Sequence, residues 1–148
     1  MTVLRWQYSS SAARVGEPWC PAISKAAAKT DAVVIADDTW SAGLLMNPLD
    51  LGAGIAAQAL TKYVGGHSDI LLGAALARGE TADRLKDYER TIGCHVSPDD
   101  AWLALRGLRT LTAVVSTALA QRAAALPAEE MAGYLRESSQ LWVLLDEH

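Results

Sequence analysis

Three short apolar runs, each too brief for a helix and bounded by turn residues, organise the first half of the chain. Asp31-Ala-Val-Val-Ile-Ala36 is continuous and rich in β-branched residues, which predicts a buried strand with Asp37 at its end. Ile55 to Leu60 predicts a second strand, closed by Thr61-Lys62-Tyr63 and the turn-forming pair Gly65-Gly66, and Ile70 to Ala77 predicts a third. Only about nine residues join these last two strands. A parallel crossover needs roughly a dozen or more, so they are expected to run antiparallel if they are neighbours.

Helical signals lie between and after these runs. Pro21 stands at a first-turn position ahead of Ala-Ile-Ser-Lys-Ala-Ala-Ala-Lys29, which predicts a short helix. Leu85, Tyr88 and Ile92 recur at helical spacing between charges, which predicts a half-buried helix over 81–92. Ser97 as cap, Pro98 next and the acidic pair Asp99-Asp100 in the first turn mark the start of another. That helix is expected to run through Leu111, with a continuation toward Leu126 that Gly107 weakens. Residues 41–52 carry Gly43, Asn47, Pro48 and Gly52 and read as a loop with one helical turn at 48–51. Residues 127–138 suggest a further helix and 141–145 a final strand, while residues 1–20 show no clean period and are read as irregular.

Helices alternating with fully apolar strands predict an α/β fold with a mixed, mostly parallel sheet and flanking helices. The expected organisation is an irregular N-terminal segment over 1–20, a central α/β part over 21–111 and a helical tail over 112–148. In such a sheet the ligand crevice lies outside the carboxyl ends of the strands.

Composition narrows the partners. The 148 residues suit one domain, and 51% hydrophobic with 20% charged residues is the make-up of a globular protein. Formal charge is −4, which leaves no basic surplus for a phosphate backbone or an anionic membrane, so neither nucleic acid nor membrane is an expected partner. The apolar stretch 111–126 is interrupted by Thr112, Ser116, Thr117, Gln121 and Arg122, against a spanning helix. Two cysteines make no disulfide scaffold, and the N-terminus lacks a signal-peptide stretch, so a cytoplasmic location is expected. Cys94-His95 cannot close a tetrahedral metal site, and no Walker or Gly-x-Gly-x-x-Gly pattern occurs.

Taken singly, the polar residues say little: Lys62 reads as a solvated lysine, Asp37 as a turn or cap residue and His67 as a loop histidine bonded to backbone. Taken together, Asp37 ends one apolar strand and Lys62 closely follows another, so both should project into one crevice. Pyridoxal phosphate chemistry needs such a pair at opposite ends of the ring, an amine and a carboxylate that keeps the ring nitrogen protonated. Thr61, beside the lysine, offers a hydroxyl to the phosphate.

Four segments then carry a resemblance. Asp37-Asp-Thr-Trp40, Asn47-Pro-Leu-Asp-Leu-Gly52, Thr61-Lys-Tyr-Val-Gly-Gly-His-Ser-Asp69 and Arg106-Gly-Leu-Arg-Thr-Leu111 resemble, in order and interval, landmarks of the Cys/Met-metabolism family of pyridoxal phosphate enzymes. Trp40, Gln58-Ala59 and the Gly66-His-Ser-Asp69 run are most similar to the bacterial cystathionine β-lyases of that family. The resemblance implies part of the large domain of an aspartate aminotransferase-like, fold-type I enzyme. It also implies pyridoxal 5'-phosphate as cofactor, Lys62 as the Schiff-base lysine, Asp37 as partner of the pyridinium nitrogen and Thr61 as a phosphate-binding hydroxyl. The implied reaction is β-elimination of cystathionine to homocysteine, pyruvate and ammonia, in a homo-oligomer. Family members are more than twice as long, so a truncated, catalytically impaired form is expected. A cystathionine γ-synthase or γ-lyase relative, and a non-catalytic remnant or interaction fragment, are the alternatives. Three departures from the family pattern stand out: Gly54 in place of an acidic residue, Asp38 where asparagine is common, and Leu60 in place of a small residue, where it is expected to crowd the cofactor.

Overall fold

The computed structural model describes residues 2–6, 19–30 and 32–124. Among the described residues, four strands form one sheet in the order β1-β2-β3-β4, with β1 at Thr2–Trp6, β2 at Ala32–Asp37, β3 at Ile55–Ala59 and β4 at Gly73–Ala77. The pairs β1–β2 and β2–β3 are parallel and β3–β4 is antiparallel, as the short connection requires. The expected α/β fold with a mixed, mostly parallel sheet is therefore the observed one.

The first correction concerns the N-terminal segment. Residues 2–6, read as irregular, form a strand, at the end of the sheet among the described residues, in register with β2 from Thr2↔Ala32 to Trp6↔Ala36. The second concerns β4, which starts three residues later than the apolar run: Ile70 is buried, Leu71 is exposed, and the backbone of Leu72 is tied to Thr61 instead.

Helix α1 (Trp19–Ala27) packs on β2. Ala27, Val34, Ala36 and Ala53 form a core there, with Ile23, Ala32 and Leu51 against it. These small and β-branched side chains let helix and sheet approach closely, and each fully buried aliphatic group contributes on the order of 1–3 kcal/mol. The expected single turn at 48–51 is present, closed by the Leu51 and Ala53 N–H groups donating to the Pro48 carbonyl. Helix α2 (Gly79–Ile92) ends on Gly93 in the left-handed conformation. None of its residues is buried: of the three predicted to face inward, Tyr88 and Ile92 are exposed and Leu85 is partly covered.

Helix α3 (Pro98–Leu108) begins as predicted, with the Ser97 hydroxyl accepting from the Asp100 N–H at 3.0 Å. It does not continue through Leu111. The chain breaks at 109–110 and restarts as α4 (Leu111–Ala124), with the two axes bent by 63°. The cause of the break is local. Thr110 returns both its N–H and its hydroxyl to the Gly107 carbonyl, at 3.0 and 3.1 Å, which closes α3 with a tight final turn. The bend lays Leu111, Val115 and Leu119, spaced by four, onto a second core made by Ala42 and Val64 with Leu44, Leu45, Leu60 and Tyr63. The helix and strand suggested for 127–138 and 141–145 lie outside the described residues. No single helix among the described residues is long and apolar enough to cross a membrane.

Candidate functional site

The carboxyl ends of β2 and β3 define the site. Past Asp37 the chain stays beside β3 for two more residues: the Asp38 N–H donates to the Ala57 carbonyl at 2.7 Å, and the Thr39 hydroxyl accepts from the Ala59 N–H at 2.8 Å. Past Ala59 the chain curls into a turn, in which the Lys62 N–H donates to Ala59 and the Gly66 N–H to Lys62 at 2.8 Å. Gly66 has φ +68°, a conformation that a Cβ would strain. The turn lifts Lys62 off the strand end into solvent.

Asp37, Thr61 and Lys62 line one cleft of about 810 Å³, together with Thr39, Trp40, Tyr63 and Ser68. This volume is within the usual range of small-molecule sites, roughly 300–1,000 Å³. The juxtaposition read from strand ends is therefore present. Asp37 is half-buried and accepts from the Thr39 N–H at 3.0 Å through one oxygen. The Lys62 side chain is exposed and makes no ion pair among the described residues. The Thr61 hydroxyl accepts from the Leu72 N–H at 3.0 Å and donates to the Leu72 carbonyl at 3.3 Å. The second distance is long for an O–H···O bond, so its proton is weakly held.

Leu60 does not crowd this cleft. Its side chain packs against the second core with Val64 and Leu111, away from the residues that line the cleft. His67 is the backbone-bonded loop histidine that was predicted, with Nδ1 at 2.7 Å from the Gly65 oxygen. Trp40 and Tyr63 meet edge to face across the cleft wall, their centroids 5.9 Å apart. Burial raises the Tyr63 phenol above its ordinary pKa, which keeps its hydroxyl protonated.

The sequence reading missed what Asp38 does. Its side chain, 2% exposed, accepts from the Ser41 hydroxyl and, at 2.9 Å, from the Gln58 amide. Burial raises its pKa, the hydrogen bonds from Gln58 and the Gly43 N–H oppose that rise, and the charge of Asp37 adds to it. The two adjacent carboxyls thus divide, one toward the cleft and one toward the interior. A raised carboxyl pKa means that the folded state holds its proton to higher pH than the unfolded chain does. Asp38 therefore favours folding most at low pH and loses that contribution as pH rises from about 4 through its folded value. Asp38→Asn, in which Ser41 can turn to accept from the new amide, is expected to remove this dependence and raise the melting midpoint at neutral pH. Melting curves of both forms between pH 4 and 8 check it; parallel curves would contradict it.

The sequence pattern of the family described as Cys/Met metabolism PLP-dependent enzymes matches residues 6–143. The chain is 48% identical over 92 residues to a cystathionine beta-lyase of Bordetella avium, covering 62% of this chain and 23% of that protein. It is 40% identical over 114 residues to a cystathionine gamma-lyase of Saccharomyces cerevisiae, covering 76% of this chain and 27% of that one. The structure of cystathionine gamma synthase from Xanthomonas oryzae pv. oryzae, in complex with aminoacrylate and cysteine, superposes with a TM-score of 0.60 at 41% identity. That match covers 64% of this chain and 24% of the other. The chain thus spans about a quarter of the length of the relatives it matches.

Proposed function

Because the chain belongs to the Cys/Met metabolism PLP-dependent enzyme family and its sheet is part of the fold-type I architecture, we propose that its cleft takes pyridoxal phosphate and that its chemistry is cleavage of a carbon–sulfur bond. The observation that carries this reading is the common cleft of Lys62 and Asp37. The donor set fits the cofactor: an amine on a turn, a carboxylate at a strand end, and a hydroxyl whose own proton is only loosely engaged. Bound there, pyridoxal phosphate supplies an electron sink for a carbanion next to the substrate nitrogen.

The roles proposed for the protein's own residues follow from their chemistry. Lys62 Nζ would hold the cofactor aldehyde, and as a free amine it would take the proton from the substrate α-carbon and deliver it to the departing sulfur. Asp37 would hold the ring nitrogen protonated through a charge-assisted hydrogen bond. Thr61, whose hydroxyl donates to the Leu72 carbonyl, would instead donate to a phosphate oxygen. Trp40 and Tyr63 wall the cleft and exclude water from its apolar side.

Within the family, the proposed reaction is that of a cystathionine β-lyase, releasing homocysteine, pyruvate and ammonia, at an impaired rate and in a homo-oligomer. Supporting it are the likeness to the Bordetella protein and the Trp40, Gln58-Ala59 and Gly66-His67-Ser68-Asp69 segments. Incubating the chain with pyridoxal phosphate and cystathionine tests it. Pyruvate formation that is lost in Lys62→Ala is expected. Formation of 2-oxobutyrate instead would replace it with γ-lyase chemistry, and neither product would overturn the lyase assignment. A non-catalytic interaction fragment is the second reading, favoured by Leu71, which stands 89% exposed just ahead of β4. It requires that pyridoxal phosphate leave the melting midpoint unchanged.

A further inference from the structure

Two neighbouring residues of α3 meet the two ends of the turn that follows Lys62. At one end, the Gly107 α-carbon lies against the peptide of Val64 and Gly65: a Cβ there would come within 2.9 Å of the Val64 carbonyl carbon and 3.0 Å of the Gly65 oxygen, and would overlap the Val64 oxygen. At the other end, the Arg106 guanidinium pairs with the Asp69 carboxylate. The same guanidinium lies over the Trp102 ring, 5.6 Å from its centroid, so it is braced from behind. Between the two contacts run Gly65 to Ser68, including the left-handed Gly66 and Ser68, the latter at φ +58°.

We propose that Arg106 is a positioning residue for Lys62: with Gly107 it clamps the 64–69 turn to α3 and so fixes the stem from which the lysine projects. The inference rests on the reading of Lys62 as the cofactor lysine. Arg106 Nε argues against a role confined to stability, because it is buried without a hydrogen-bond partner among the described residues. An unsatisfied buried N–H is a cost that an apolar side chain of the same length avoids. Asp69 is part-exposed, so removing the arginine leaves its carboxylate hydrated rather than stranded. Stability alone would therefore favour a residue such as methionine at 106.

Arg106→Met, Arg106→Lys and Asp69→Asn, each as the whole chain, separate the alternatives by two measurements. The first is amide hydrogen exchange without cofactor. Arg106→Met and Asp69→Asn are expected to speed exchange about fivefold in peptides covering 62–70 while those covering β2 are unchanged, with Arg106→Lys partly restoring protection. The second is borohydride trapping with pyridoxal phosphate, read as labelling of Lys62 relative to Lys25 and Lys29. The wild-type preference for Lys62 is expected to fall by a similar factor in the two variants. If the wild type shows no preference for Lys62, the cofactor reading fails while the exchange data still judge the clamp. Unchanged exchange over 62–70 overturns the clamp, and loosened exchange with an undiminished preference for Lys62 overturns its link to the lysine.

Discussion

Gly107→Ala lowers the melting midpoint of the chain, against the direction that helix propensity dictates. Inside α3, alanine in place of glycine should stabilise by about 1 kcal/mol. The new methyl group would point at the Val64 carbonyl oxygen, however, and a Cβ whose place the helix backbone fixes would there meet a backbone atom. No rotamer can relieve it, so α3 must lift away from the Val64–Gly65 peptide. Overpacking of this kind costs roughly 1–3 kcal/mol, and occasionally more. A net loss of about 2 kcal/mol, or roughly 5 °C, is expected. Circular dichroism melts of the two forms check it, and a raised midpoint would mean that α3 does not sit on the turn.

The second large effect is functional. Asp37→Asn is expected to weaken retention of pyridoxal phosphate by about 10- to 100-fold, the worth of one hydrogen bond to a charged group. Because the asparagine oxygen can still accept from the Thr39 N–H, the fold at the end of β2 should survive. Equilibrium titration followed by cofactor absorbance measures the first effect, and the melting midpoint without cofactor controls for the second. Equal affinity in both forms would place the ring nitrogen elsewhere.

What could be read in advance depended on whether the cause was local. β2 and β3 were legible because a buried strand is a continuous apolar run, and Asp37 and Lys62 were legible as a pair because both follow such runs. β1 was not, since its stability comes from backbone pairing with residues about 30 positions away, and a five-residue strand needs no period of its own. Gly107 was read as a weakness in a long helix. It is a close-approach residue, which only the position of Val64 reveals. The Asp38 network was hidden for the same reason: Gln58 reaches it from the neighbouring strand. Tyr88 and Ile92 had the right spacing for a buried face, but spacing does not say whether anything lies opposite.

The account turns on Lys62 forming the covalent link to the cofactor. Incubation of the purified chain with pyridoxal phosphate, reduction with borohydride and peptide mapping by mass spectrometry addresses this in one step. A pyridoxyl group concentrated on Lys62, and diminished there in Asp37→Asn, is the predicted result. Labelling spread evenly over Lys25, Lys29, Lys62 and Lys86, or absent from Lys62, would contradict it.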